Sequence, residues 1–484
     1  MSAGRRSEPA DSGDIRKRIC KRSLFQDKVF GMVNAKDLEA RFFESYPEAG
    51  DAMICRAPGR INLIGEHTDY NGLPVLPMTI DKYVWIVFAP REDGRIHLCN
   101  ADRAFAPREF ANVPDIAPSP PGSWENYCKA AVQGLNHYFG TKAFPGMDMY
   151  VAGSIPIAAG LSSSSALVVA SALAYLRVLG KSLGRDMSRL ALATLLADAE
   201  HYVGTRGGGM DQAAILLGKQ DMALKIDFFP LRLQEVPLPD GHEIVCCNSL
   251  VQARKTGEVL HRYNEGPRLC RLICALVELQ AQKDFGEEVK LSRLGDLWHG
   301  HLCLTDDEAT DLFDRAIPNG GTTIAEAADM LGTTPEDIRG RWLGDLHEPP
   351  GGFPLRARAR HQLTEYQRVE MARDAMLAND AQELGRLMND SHSSCARDYQ
   401  ISCRELDYLV TTAREAGASG SRLSGAGFGG STVNLVPAEI LEDFCDAIDK
   451  GYYREYMALE KTAEDGAAPC FAVRAAPAAD YLVL

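Results

Sequence analysis

Nowhere in the 484 residues is there an apolar run of the ~18 residues that a membrane-spanning helix needs, so no helical membrane span is expected. Positive charge is also short. Lys and Arg number 52 against 66 Asp and Glu, a net of -14. Nucleic acid is therefore not expected as a partner, because phosphate backbones demand basic surfaces. A single nucleotide remains compatible, since it needs only a local anion site. The 13 cysteines contain no C-x-x-C, and none is grouped with histidine at zinc spacing, which predicts free thiols in a reducing compartment. The opening MSAGRRSEPADSGDIRKR lacks the apolar core of a secretory signal. A cytoplasmic chain is expected, with a disordered polar tail over residues 1–24.

The remaining composition, 45% hydrophobic and 24% charged, is enough for a large core and excludes disorder of the whole chain. Length suggests about two to four domains, or two large ones. Strand patterns at 61–64, 83–89, 94–100, 147–152, 223–228 and 243–248 alternate with helical ones at 37–46, 124–139, 163–179 and 188–203. Residues 53–60 are expected to turn at Pro58-Gly59, and the Pro-rich 112–122 reads as a loop. This mixture predicts an α+β or α/β protein. The second half is mostly helical. The expected division is 25–245 and 246–484, with a helical insertion at about 285–355. Within the insertion, Thr334-Pro335-Glu336-Asp337 has the form of a helix start.

Four segments carry chemistry. GSIPIAAGLSSSS, Gly153–Ser165, opens a helix of small and apolar residues. Free N–H groups at a helix start attract anions, hydroxyls add donors, and Gly160 permits close backbone approach. The same residues also suit a serine-rich N-cap with no ligand. No G-x-x-x-x-G-K-[ST] is present, so this is not a Walker loop. RINLIGEHTD, Arg60–Asp69, is a strand broken at Gly65 that presents Glu66, His67 and Asp69. Carboxylates accept from sugar hydroxyls, and Arg60 suits a phosphoryl group or a carboxylate. Taken by itself, the segment fits an exposed polar turn before Asn71-Gly72 better.

Glu200 with GTRGGGMD, Gly204–Asp211, places a tight backbone beside one acid. Asp211 can take a proton from a substrate hydroxyl or simply cap a helix. Glu200 can ligate magnesium or be a solvated helix residue. SRLSGAGFGG, Ser421–Gly430, contains a formal G-x-G-x-x-G. A strand-like segment follows it where a dinucleotide-binding fingerprint needs a helix, so a dehydrogenase is excluded. A phosphate-lining loop and a plain tight turn both remain.

Together these segments resemble the GHMP kinases and, within them, the galactokinase family. The resemblance is carried by RAPGRINLIGEHTDYNGLPVLP at 56–77, GLSSSSAL at 160–167, GGGMDQ at 207–212 and SGAGFGG at 424–430, in that order, and it extends from about Phe25 to the C-terminus. The insertion and the run GTRGGGMDQ resemble the branch holding fungal galactokinases and eukaryotic N-acetylgalactosamine kinase.

The resemblance implies an N-terminal domain like part of a ribosomal protein and a ferredoxin-like C-terminal domain, with the site between them. It implies ATP-dependent phosphorylation of a sugar at C1, with Mg²⁺. Asp211 would be the catalytic base, and Arg60 would stabilise the transferring group and orient Asp211. Glu66, His67, Asp69, Gly208 and Tyr263 would line the sugar pocket. Gly160, Ser162, Ser163 and Ser164 would cradle phosphates, and Ser164 and Glu200 would hold Mg²⁺. Trp124 would border adenine, Asn248 and Lys255 would lie near the nucleotide, and the loop with Gly425 and Gly427 would close the site. A monomer is expected.

Several positions depart from the family pattern. Ala158 and Ala159 stand where relatives have Gly, Ser or Thr, and Arg206 replaces an acidic or amide residue. Ser431 replaces Cys, and Arg404 replaces Pro. Tyr263 matches the fungal galactokinases, where the N-acetylgalactosamine kinase has Phe, and so favours galactose. A non-catalytic sugar sensor is disfavoured by the intact Ser162–Ser165 and Asp211.

Overall fold

The computed structural model describes residues 35–204, 208–252, 257–459 and 469–483, and within these not the side chains of 200, 201 and 257–261. Its twelve strands are β1 (Met53–Ile64), β2 (Leu76–Arg91), β3 (Arg95–Asn100), β4 (Arg108–Ala111), β5 (Gly146–Gly153), β6 (Met222–Asp227), β7 (Arg232–Pro237), β8 (His242–Asn248), β9 (Gly420–Ser424), β10 (Ser431–Pro437), β11 (Cys470–Val473) and β12 (Asp480–Leu482). They form a six-stranded sheet in the order β12-β1-β2-β5-β3-β4, a four-stranded sheet β11-β8-β10-β9 and a hairpin β6-β7. With the helices, this makes an α+β architecture.

The turn expected at Pro58-Gly59 is instead an irregularity inside one strand. β1 runs on through it with a register shift against β2. A bulge of this kind bends a strand and re-aims its side chains without ending it. Here it brings the Arg60 amide onto the Leu161 carbonyl at 3.2 Å, which ties the strand to the serine-rich turn.

The helix Ser163–Val178 lies on the large sheet. It is apolar almost all round, and Val168, Val169, Leu173 and Leu176 are fully buried in the main core, as expected of a helix enclosed on every side. That core also takes Ile244, Val433, Leu435 and Phe471 from the second sheet. The two sheets therefore share one apolar interior.

The expected division at 245/246 falls inside β8, all seven residues of which pair with β10. The chain end also returns to the first sheet, where β12 pairs with Ile54–Arg56 of β1. Both features depend on partners more than 180 residues away, which local patterning cannot see. Helices Arg404–Glu415 and Leu441–Ile448 pack on the four-stranded sheet through Leu409, Phe444 and Ile448. The long helices Gly257–Phe285 and Leu355–Leu377 flank residues 286–354, which have their own core of Leu297, Leu312, Phe313 and Ile338. Thr334 caps the helix Pro335–Ile338, the start that T-P-E-D predicts.

Candidate active site

The serine-rich turn precedes the helix Ser163–Val178, with Gly160 at φ 75° and Ser162 at φ 58°. Gly160 sits backbone to backbone against the glycine-rich loop. A Cβ on it would lie 2.8 Å from the Ser424 carbonyl, and one on Gly425 would lie 2.8 Å from the Gly160 carbonyl. Gly160→Ala therefore meets both a left-handed backbone and a clash, at a cost of about 1–3 kcal/mol. It is expected to lower the melting temperature and raise the KM for ATP. An unchanged KM would separate this turn from nucleotide binding.

Arg60 is the joint of the site. Its Nη1 donates to the Gly160 carbonyl at 2.8 Å, while Nε at 2.7 Å and Nη2 at 2.6 Å meet Asp211 Oδ1. The other oxygen, Oδ2, accepts from the Ser162 hydroxyl at 2.5 Å and from Ser165 at 3.2 Å. Asp211 lies in the first turn of the helix Met210–Leu217. Asp69 reaches the same turn, with Oδ2 accepting from the amides of Gly208 at 3.0 Å and Met210 at 3.3 Å. Burial raises the Asp69 pKa, the Met210 amide lowers it, and the nearby Asp211 charge raises it again. The sequence segments at 60–69, 160–165 and 208–211 thus converge on one bonded group.

Glu66 and His67 are held by other partners. Glu66 is buried, and its Oε1 accepts from the Gly425 amide at 2.9 Å and pairs with Arg422 at 3.3 Å. Burial raises its pKa, against the pull of Arg422 and then Arg60. The His67 ring meets the Tyr70 hydroxyl through Nδ1 at 3.0 Å and the Ala426 carbonyl through Nε2 at 3.2 Å. A carbonyl can only accept, so Nε2 carries a proton, and in the neutral imidazole Tyr70 donates to Nδ1. Tyr70 is joined in turn to Tyr399 at 2.5 Å. Tyr263 lies beside His67 with ring centroids 5.4 Å apart. The two share a cavity of about 150 Å³ with Arg262, Glu265, Arg358 and Phe428.

Other expected residues are more dispersed. Ser163 and Ser164 are half-buried on the first helical turn, and their hydroxyls have no hydrogen bond among the described residues. Trp124 is in the core, its indole N–H donating to the Ala106 carbonyl. Asn248 ends β8, with its carbonyl bonded to Tyr453 and Oδ1 to the Leu250 amide. Gly427, at φ 74°, packs on Ile401. Lys255, Arg206 and the Glu200 side chain lie outside the described residues.

Sequence reading missed the groups that hold Glu66 and His67 in place. These are Arg422 and Ser391 together with His361, Gln362 and Glu365 on the helix Leu355–Leu377. The local signals were Arg422 inside the segment Ser421–Gly430 and the pair His361 and Glu365 at i and i+4, on the same helix face. Burial pushes the Glu365 carboxyl up, but Arg368, His361 and Arg422 bring it down from its ordinary 4.5 to about 2. Depressed in the fold, it contributes stability that is complete above 4.5 and is lost as pH falls to about 2. Glu365→Gln should therefore destabilise at neutral pH, and the deficit should shrink as denaturant midpoints are taken down to about pH 3. A deficit independent of pH would overturn the assignment.

Comparison with known proteins matches three family models: the galactokinase galactose-binding signature at residues 40–90, the GHMP kinases N terminal domain at 126–219 and the GHMP kinases C terminal domain at 372–454. The chain is similar to galactokinase of Dictyostelium discoideum, 34% identical over 88% of this chain and 89% of that one. It is also similar to galactokinase of Saccharomyces cerevisiae, 32% identical over 82% and 84%. The crystal structure of Lactococcus lactis galactokinase complexed with galactose superposes with a TM-score of 0.72 at 26% identity, over 92% of this chain and 99% of that one. Mevalonate kinase of Methanococcus jannaschii shares the fold, with a TM-score of 0.51 at 17% identity.

Proposed function

The chain belongs to the galactokinase family of GHMP kinases, and we propose that it transfers the γ-phosphoryl group of ATP to the C1 hydroxyl of galactose. The observation that carries this reading is Arg60, which bonds both the Gly160 carbonyl of the serine-rich turn and the Asp211 carboxylate. In phosphoryl transfer the protein contributes chiefly position and charge. Asp211 takes the proton of the sugar hydroxyl, with one oxygen fixed by Arg60 and the other available once a hydroxyl replaces that of Ser162. The Arg60 guanidinium faces the charge of the transferring group. The helix start at Ser163 and Ser164 receives phosphate oxygens. Asp69, Gly208, His67 and Tyr263 border the sugar, and the loop with Gly425 and Gly427 encloses the reactants.

The residues suit magnesium. The donors on offer are the Ser164 hydroxyl and the Glu200 carboxylate. A hard cation that keeps most of its shell as water and phosphate oxygens matches such a sparse oxygen set. When bound, it would neutralise charge on the nucleotide's phosphates. A cytoplasmic monomer completes this reading.

The test is ADP release from ATP and Mg²⁺ with a panel of monosaccharides, and identification of the phosphorylated carbon. Release that depends on galactose, with a product lacking a reducing end, is expected. Faster turnover of N-acetylgalactosamine would move the chain to the other activity of its branch. No sugar-dependent release would leave a sensor.

A further inference from the structure

The turn after β1 is held by three side chains of a helix almost three hundred residues further along the chain. Glu365 Oε1 accepts from the amides of Gly65 at 2.9 Å and Glu66 at 3.3 Å. His361 Nε2 meets the Glu66 carbonyl at 3.0 Å. The Gln362 amide donates to the His67 carbonyl at 2.9 Å and accepts from Asn71 Nδ2 at 2.8 Å. His361, Gln362 and Glu365 are all 0% exposed. Four backbone groups on three successive residues are thus read by one helix face.

The fit is also steric. Gly65, at φ 99°, leaves room for the Val369 side chain of the same helix, which would lie 2.9 Å from an added Cβ. His67 has φ 58°, a left-handed backbone in a residue with a side chain. Such a backbone costs about 1–3 kcal/mol and persists only where its surroundings over-determine it. Here the surroundings are the hydrogen bonds from the helix Leu355–Leu377.

We infer that His361, Gln362 and Glu365 are positioning residues for sugar recognition, acting through the backbone of Gly65–His67 to aim His67 and Asp69. The inference rests on the proposed galactose pocket. It makes the helix Leu355–Leu377, which lies outside the four segments at 56–77, 160–167, 207–212 and 424–430, a determinant of hydroxyl discrimination. A turn that drifts loses its match to particular hydroxyls, and with it the power to reject an epimer.

Gln362→Met removes both amide contacts at similar volume. Asn71→Ala, which frees the Gln362 amide to rotate, is a milder second variant should the first fail to fold. Each is compared with Met376→Ala, a buried change about four turns along the same helix from Gln362. In both test variants, hydrogen exchange of the amides at 62–70 should quicken. The KM for galactose should rise about 3–10-fold, the scale of one lost hydrogen bond. Preference for galactose over its C4 epimer should fall, while the KM for ATP holds. Met376→Ala should lower only the melting temperature, because a smaller folded fraction changes neither a KM nor a substrate ratio. Unchanged exchange and an unchanged epimer ratio in Gln362→Met and Asn71→Ala would overturn the inference. Wild-type protein that does not phosphorylate galactose would instead overturn the functional reading, and quickened exchange would still locate the tether.

Discussion

Asp211→Asn is expected to lower kcat by about 10²–10⁴-fold, the usual contribution of a positioned base, while ATP still binds. The substitution is nearly isosteric, and the surrounding bonds permit it. An amide oxygen can still accept from Arg60, which meets Oδ1 at 2.6 Å and 2.7 Å. The amide nitrogen can donate to the hydroxyl oxygens of Ser162 and Ser165, which now give their protons to Oδ2. What is lost is the capacity to accept a proton at Oδ2 and the negative charge that balances a guanidinium only 6% exposed. Some destabilisation follows from the second loss. The kinetic loss should be far larger than the change in melting temperature implies. Steady-state kinetics on galactose, with ATP affinity from calorimetry, separates the two. Turnover near that of the wild type would exclude Asp211 as the base.

The convergence behind that prediction was legible before any coordinates. Arg60, Gly160, Ser162, Asp69 and Asp211 each stand in a segment with a local mark (a strand broken by glycine, a serine-rich helix start, a lone acid after a glycine run), but each mark also fitted a plain cap or turn, and only the family resemblance chose the site reading. These are local signals, and the structure joins them through bonds of 2.5–3.3 Å. The course of the backbone was legible for the same reason wherever apolar periodicity is strong, as in the helix Ser163–Val178, expected one residue longer than it is.

Features set by distant partners were not legible. β8 contains the apolar residues of any buried strand, and nothing in its own sequence says that β10 rather than β2 is its neighbour. β12 is three residues long and exists only because β1 offers an edge. Glu66 is the sharpest case. Its sequence context suggests an acid presented at a turn, yet it is 1% exposed and bound to Gly425 and Arg422, some 360 residues away. Its orientation is set by Arg422, a buried arginine that stands inside the segment Ser421–Gly430 but to which the sequence reading gave no role, on the strand β9 leading into the glycine-rich loop.

Arg422→Met is accordingly expected to destabilise the fold by about 3–5 kcal/mol, because it leaves a buried carboxylate without its counter-charge. Arg422 is 0% exposed and donates to the Asn62 carbonyl at 3.0 Å, to Ser391 Oγ at 3.2 Å and to Glu66 at 3.3 Å. Burial already raises the Glu66 pKa, and Arg422 is the largest influence opposing that rise. Without the arginine the carboxyl must rise further. A carboxyl raised in the fold binds its proton more tightly there than in the unfolded chain, so its protonated form favours folding. Stability then falls as pH climbs from the unfolded value towards the raised one, and in the variant that window extends upward. The deficit of Arg422→Met should therefore be larger at about pH 8 than at about pH 5. Glu66→Gln in the same chain should recover much of it, since removing both members of a buried pair costs less than removing one. Denaturant midpoints for the single and double variants at both pH values test this. Additive effects with no pH dependence would show that Arg422 acts by packing alone. Because Glu66 also holds the Gly425 amide, and Gly425 lies against Gly160, the single variant should raise the KM for ATP as well, linking the sugar-side turn to the phosphate-side loop through one buried charge pair.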